Sequence, residues 1–442
     1  MLPDYIRKAR RNPAENRAPW YKSTAPSYAG IFLWVAFYQA IAQGTLERGG
    51  PWVCLAALVV AALASFALYY WVPATLGMKT GYPLYVVGSS TFGTQGGYVM
   101  PGLLMGLLQV GWFSVSTFIA SRFILSGLGR EAAPMTAGFA VAAVLWGYVM
   151  AYVGVKGIGY VARMATWLSI VPFVMILIVF AKTAGGIAAY TPPRAEPALA
   201  FALILQIVIG FFATAGAAGA DFGMNNRDAR DVRLGGLVGI AAAIVYAGGL
   251  PLLSVAGAHG MNPGFASYTY DAVLASLGGF LASSMFLLFA LASIPSACFC
   301  AFIAGNSFST MIPSVPRMAS TMVAVTVAIA LAITGAAENL IGFFSIVGAS
   351  FGPICGAMAA DYLLSGRKWA GPRRGINWAG YGAWAAGFLV GILPFLPLSE
   401  QLRNAVQPAA LYSFLAGFLV YWALAKAGLE PEVVPIEESR PV

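Results

Sequence analysis

The side chains here that could meet a solute come first as a pair. Gln109 and Trp112 stand three residues apart in Gln109-Val110-Gly111-Trp112-Phe113, a spacing that puts both on one face of a helix. An amide offers a donor and an acceptor together, and an indole offers a face for stacking, which suits a planar heterocycle. The plainer account is interhelical glue for Gln109 and core packing for Trp112. A second group is Gly210-Phe211-Phe212-Ala213-Thr214-Ala215-Gly216, running on to Ala220-Asp221. Two glycines and a threonine among alanines make a soft helix whose backbone a ligand can approach, or a small-residue surface for a neighbouring helix. A third is Ser293-Ile294-Pro295-Ser296. Pro295 removes one helical hydrogen bond and frees a carbonyl near Leu291 and Ala292, so oxygen ligands for a hard cation could gather there; a simple proline kink is the alternative. Gln39, Gln43 and Gly44 interrupt another apolar run.

Catalytic chemistry finds no purchase. A single histidine, His259, and four cysteines (Cys54, Cys298, Cys300, Cys355) scattered through apolar stretches assemble no zinc set. There is no carboxylate pair at a shared site, no Ser-His-Asp set and no Walker loop, so an enzyme is not expected and neither is a cofactor. Asp221 and Asp361 each close an apolar run just before a basic loop and read as interfacial caps or salt-bridge partners.

The elements that must position these groups are membrane helices. Of 442 residues, 60% are hydrophobic and 9% charged, against about 25% charged in soluble domains. Lipid offers backbone amides no partner, so spans must be helices or a closed barrel, and long unalternating apolar runs exclude the barrel. At roughly 20 residues per span, the runs predict twelve: 28–46, 52–73, 97–127, 134–155, 163–183, 199–220, 234–257, 274–305, 318–336, 338–364, 378–397 and 408–427. With the N-terminus placed in the cytoplasm, 19 of the 25 lysines and arginines fall on the cytoplasmic side. The other six are Arg48, Arg122, Arg130, Lys182, Arg194 and Arg403. That bias orients the chain with both termini inside a plasma (inner) membrane, and it accounts for the net charge of +9 as topology rather than nucleic-acid binding. The expected parts are a cytoplasmic tail (1–27), a transport core (28–364), a cytoplasmic loop with two further spans (365–427) and a second tail (428–442), both tails polar enough to be poorly ordered.

Several short strings, in this order and spacing, resemble the nucleobase:cation symporter-1 family. They are Gly77-Met78-Lys79-Thr80-Gly81, Thr91-Phe92-Gly93, Gln109 to Phe113, Ala220-Asp221-Phe222, and Gly352-Pro353 leading to Ala360-Asp361-Tyr362. The resemblance runs from about Ala29 to Leu396. It implies an all-α integral membrane protein of 12 transmembrane helices, with a LeuT-like core of two inverted five-helix repeats plus two extra helices, broken at spans one and six. It implies cation-coupled symport of a heterocycle of the cytosine, purine, uracil, hydantoin or allantoin class. Trp112 would be the stacking residue, Gln109 the polar residue beside it, and Phe212, or second to it Phe211, the opposing ring. Gln39, Thr214, Ser293 and Ser296 would read the substrate's edge. Carbonyls of Val35, Tyr38 and Ala292 with the Ser296 hydroxyl would hold the cation, sodium or a proton. One hydroxyl of the sodium-coupled pattern is replaced by Pro295, asparagines of the eighth helix read Ala292, Ser293, Ala297 and Phe299, and an arginine common before Thr91-Phe92-Gly93 is Ser90. The rivals outside this class are a passive channel or facilitator, and a heterocycle sensor that moves nothing; neither a charge ring nor an appended signalling domain is visible.

Overall fold

A computed structural model describes residues 2–312 and 314–436, the side chains of 157–166 and Thr310 excepted. Residues 437–442, the end of the expected second tail with Arg440, lie outside the described residues, as does the Arg163 side chain. Helix is the regular structure throughout, and among the described residues the extended pairings are two isolated bridges, Ala18 with Asn226 and Arg373 with Val433.

Nine helices among the described residues are long and apolar enough to cross a membrane: Leu46–Thr80, Tyr98–Gly127, Ala137–Lys156, Ile170–Ala189, Pro197–Ala217, Ala229–Met261, Gly279–Ser309, Leu340–Leu364 and Ala409–Lys426. Three expected spans fall short for separate reasons. The ninth, Arg317–Ile333, has 17 residues, and the eleventh, Trp378–Gly391, has 14 before a 3-10 turn takes over. The first is interrupted: helix α1, Thr24–Phe32, gives way to turns over 33–45. The chain then enters α2, Leu46–Thr80, which turns a corner at Gly50 (φ 68°) ahead of Pro51; only glycine adopts that backbone readily before a proline. Exposed Val59, Leu63, Val141, Leu145, Val323, Leu389 and Leu419 face outward where a soluble protein would show charge, which is the surface lipid requires. This is a multi-pass membrane protein.

The helices gather in two sets. α1 and α2 pack with α3, Pro197–Ala217, and α4, Ala229–Met261; the spans Tyr98–Gly127, Ala137–Leu168, Gly279–Met311 and Arg317–Ile333 pack with one another. Leu340–Leu364 packs against α3 and against the last two spans, Trp378–Gly391 and Ala409–Lys426. Close crossings are made by residues without side chains. A Cβ on Gly77 would lie 2.1 Å from the Ala220 carbonyl oxygen, and one on Gly223 would lie 2.2 Å from that of Ala74. Two of the strings that carried the family resemblance are therefore one helix crossing, seen from its two sides.

The tails differ from expectation. Tyr5 Oη donates to the Thr94 carbonyl (2.7 Å), Arg17 Nη1 to that of Met78 (2.8 Å), and Thr24 Oγ1 to Asn226 Oδ1 (2.6 Å). At the other end Glu430 pairs with Arg373 at 2.9 Å, and Val434 N donates to the Pro372 carbonyl. Composition argued for disorder; specific partners in distant loops order the backbone instead. Those loops include a helix that the span pattern passed over, Leu84–Phe92, whose first N–H is met by Asp221 Oδ1 at 3.3 Å, a favourable place for a carboxylate.

Candidate functional site

The two interrupted spans face each other. α3 ends at Ala217, and the helix resumes as Gly219–Gly223 after Ala218. Breaking a helix strands carbonyls, and the Ala215 carbonyl accepts a hydrogen bond from Tyr28 Oη on α1 at 2.9 Å. The glycines of this stretch also do the plainer work read from the sequence. Gly210 lies against the Phe344 backbone, and Gly216 against Tyr69. Softening and close packing coexist.

Where α1 runs into its turns, rings from four spans converge. Trp112 meets Phe211 edge-on (centroids 5.1 Å, 79°), Phe343 edge-on (4.8 Å, 85°), and Phe344 at a lower tilt (5.7 Å, 31°). Trp34, from the turns, closes the group at 5.8 Å from Trp112. The Trp112 indole N–H donates to Thr214 Oγ1 at 3.3 Å, so the third span is tied to α3 just before its interruption. Trp112, Gln109 and Phe211 are all buried.

Trp112 and Phe212, the rings expected to clamp a solute, are not paired with each other among the described ring contacts. Phe212 stacks on Phe32 (5.6 Å, 26°) and leans on Tyr28 (5.8 Å), while the ring that meets Trp112 is Phe211. Adjacent helical residues point about 100° apart, and α3 turns its Phe211 face toward the third span. Gln109 makes no bond to another helix among the described contacts; its amide nitrogen reaches Met105 Sδ at 3.6 Å, one turn back. Gln39 sits in the turns, its N–H on the Val35 carbonyl (2.9 Å) and its own carbonyl on Tyr270 N (3.0 Å), with Oε1 buried and unpartnered.

The residues expected to hold a cation are less gathered. The Val35 carbonyl takes N–H bonds from both Tyr38 (3.2 Å) and Gln39, which uses both of its lone pairs. Tyr38 packs its ring on Tyr270 (5.1 Å) and Phe289 (6.3 Å), which brings the turns alongside the eighth span. That span is interrupted at Ser293, between Ala292 and Ile294, as Pro295 led one to expect. The Ser293 hydroxyl folds back onto the Phe289 carbonyl (3.0 Å) rather than pointing across to the turns, and Ser296 is half-buried. All four cysteines are buried and free, and no cluster of metal-ligating side chains occurs among the described residues.

Below the rings, toward the tails, lies a second constellation that the sequence showed only as scattered strings. Asp361 accepts from Ser90 Oγ (2.6 Å), Thr91 Oγ1 (2.9 Å) and Arg373 (2.9 Å). Arg373 also binds the Ser90 carbonyl and Glu430, and both members of the Asp361–Arg373 pair are 4% exposed. Gly93 (φ 87°) adjoins it, with so little room that a Cβ would lie 2.3 Å from the Gly375 oxygen. Where the resemblance would put an arginine, Ser90 instead accepts from the Arg373 guanidinium at its carbonyl and its hydroxyl.

With this geometry in hand, comparison with known proteins is decisive at the level of family. The family described as permease for cytosine/purines, uracil, thiamine, allantoin matches residues 13–420. The chain belongs to it. This is a cytosine/purine permease-like member of the nucleobase:cation symporter-1 group, a family of transporters rather than enzymes. The cytosine permease of Escherichia coli K12 is 24% identical over 407 residues, covering 85% of this chain and 88% of that one. Among solved structures, Mhp1, a nucleobase-cation-symport-1 family transporter, superposes in its closed form with bromovinylhydantoin bound (TM-score 0.65, 16% identity, 97% of each chain). It also superposes in its inward-facing form (TM-score 0.68, 17% identity, 100% of each chain). A Na+-coupled sialic acid symporter shares the fold at TM-score 0.57 and 12% identity, over 95% of this chain and 91% of that one. At these identities the structures speak for the fold alone.

Proposed function

We propose that this permease takes up a nucleobase or a related planar heterocycle by alternating access, in symport with sodium or a proton, across the inner membrane with both tails in the cytoplasm. Twelve spans in two inverted five-helix repeats plus two extra helices fit the two packing sets. Spans one and two pack with six and seven, and three and four with eight and nine, an offset of five in each case. The observation that carries the reading is the ring cluster around Trp112, set where the turns of span one meet Phe211 of span six, about two turns before that span is interrupted at Ala218. In that setting Trp112 stacks on the substrate, Phe211 bounds the ring opposite, and Gln109, Gln39 and Thr214 bond its edge. Offset or edge-on aromatic contacts contribute about 0.5–1.5 kcal/mol beyond area burial, and hydrogen bonds in a dry site set selectivity. A cation held between the Tyr38 carbonyl and Ala292 or Ser296 would favour one of the two access states, which couples its gradient to uptake.

Uptake into cells by the Trp112→Ala and Gln109→Ala variants, with surface expression checked, tests the site; affinities equal to wild type in both would remove these residues from binding. A thermal-shift screen of purified protein against nucleobases, hydantoins and allantoin, with and without sodium, tests the class. A specific ligand at 100 times its Kd stabilises by about 2.7 kcal/mol. Flux that fails to accumulate solute against its gradient would replace the symporter with a facilitator.

A further inference from the structure

Trp34 was not among the residues the sequence singled out, yet the fold places it in the ring cluster. It stands at the entrance to the turns of span one, is buried, and leans on Trp112 (5.8 Å, 56°) and Phe211 (6.5 Å, 50°). The two tryptophans differ in one respect. The Trp112 N–H is given to Thr214, whereas Trp34 Nε1 is buried with no hydrogen-bond partner among the described residues. An indole nitrogen donates and cannot accept, so what Trp34 calls for is an acceptor lying in the plane of its ring.

Five residues on, Gln39 shows the converse. Its backbone is engaged on both sides, but Oε1 is buried and receives no donor. Buried polar atoms in a membrane interior are nearly always paired, because lipid supplies no substitute. Two exceptions of opposite sense on one short non-helical stretch, one of them in contact with Trp112, therefore point to a ligand that carries both missing halves.

We infer that Trp34 is a substrate-reading residue: its N–H donates to a carbonyl oxygen of the bound heterocycle, while Gln39 Oε1 accepts from a ring N–H. The inference rests on the function proposed above and narrows it. The preferred substrate carries a lactam edge, N–H beside C=O, as in uracil, hydantoin or hypoxanthine. A ring with no carbonyl leaves the Trp34 N–H unpaired and is discriminated against for that reason.

The test pairs a change in the protein with a change in the ligand. Affinities are measured on the purified full chain, wild type and Trp34→Phe, for uracil, hydantoin and hypoxanthine. The lactam bound best is compared with its thiocarbonyl analogue, a weaker acceptor, and adenine serves as a carbonyl-free ring. Wild type is expected to bind the lactam about tenfold more tightly than the thio analogue, one ordinary hydrogen bond. Trp34→Phe, which keeps a ring but has no N–H, should lose that tenfold for the lactam and show no further loss for the thio analogue. A variant that binds the lactam as wild type does, or still pays the sulfur penalty, overturns the inference and leaves the proposed function standing. So does a wild type that prefers adenine. A wild type that binds no heterocycle at all sinks both. Should Trp34→Phe not fold, the wild-type ligand series is decisive alone: equal affinity for oxygen, sulfur and carbonyl-free rings refutes the role.

Discussion

The two ends of this molecule are closed by different means. At the end that carries both tails, a buried aspartate and arginine join the helix Leu84–Phe92, the end of Leu340–Leu364, the loop around 373 and the final tail, with Ser90, Thr91 and Glu430 completing the bonds. At the opposite end, Arg48 pairs with Glu47 and Glu196, and Arg122 with Asp271 and Glu338, at 2.7–2.9 Å; the Arg122 side chain keeps 35% of its surface exposed and Glu338 keeps 54%. Both ends use ion pairs of similar length. What separates the Arg122–Glu338 pair from the Asp361–Arg373 pair is water. A half-solvated pair can be exchanged for hydration at little cost, whereas parting a buried one strands a charge. Under the alternating access proposed above, the tail-bearing end is the one whose opening would part a buried pair that joins several chain segments.

Breaking the buried pair gives the largest expected effect. Asp361→Ala leaves Arg373 without its main counter-charge and should cost about 3–5 kcal/mol, read as a large fall in melting temperature in detergent or loss of folded protein. Asp361→Asn with Arg373→Met should recover part of that loss, because the buried pair is then replaced by neutral groups and only Glu430, which is partly exposed, loses its partner. Next comes Gly77→Ala, whose methyl would collide with the Ala220 carbonyl oxygen; an overpacked crossing costs about 1–3 kcal/mol, and the melting temperature should fall by an intermediate amount. Tyr28→Phe removes the hydroxyl that meets the Ala215 carbonyl and should cost about 1 kcal/mol. Glu338→Ala at the opposite end, which removes only the half-exposed partner of Arg122, should be smallest, at or below about 1 kcal/mol. If it destabilises as much as Asp361→Ala in the same melting assay, the contrast between the ends collapses.

How much of this could be read in advance varies by element. The membrane class followed from composition, and the interruptions of spans one, six and eight followed from Gln39–Gly44, Gly216 and Pro295, residues that break helices for local reasons. Trp112 was singled out by its spacing from Gln109, and the structure puts it at the centre of a ring cluster. Phe211 and Phe212 were not separable, since choosing between neighbours needs the rotation of the helix, which only packing supplies. The contacts of the described parts of the tails were not foreseen because Tyr5, Arg17 and Glu430 find partners between about 60 and 90 residues away in sequence. Trp34 was missed because an indole in an apolar run looks like core until its nitrogen is followed. The strings that carried the family resemblance turn out to serve mainly the tail-bearing end: Gly77 at a crossing, Thr91 on Asp361, Gly93 against Gly375.

One practical matter follows from the grip on Arg373. The guanidinium is shared between a carboxylate of the helical body and one contributed by Glu430, which Tyr421 also bonds at 2.6 Å. Shortening the chain to Leu429 would strip half of that counter-charge from a site water barely reaches. Affinity tags and fluorescent fusions for this protein therefore must be appended to the chain and never replace Glu430 or the stretch from it to Val434, whose N–H bonds the Pro372 carbonyl.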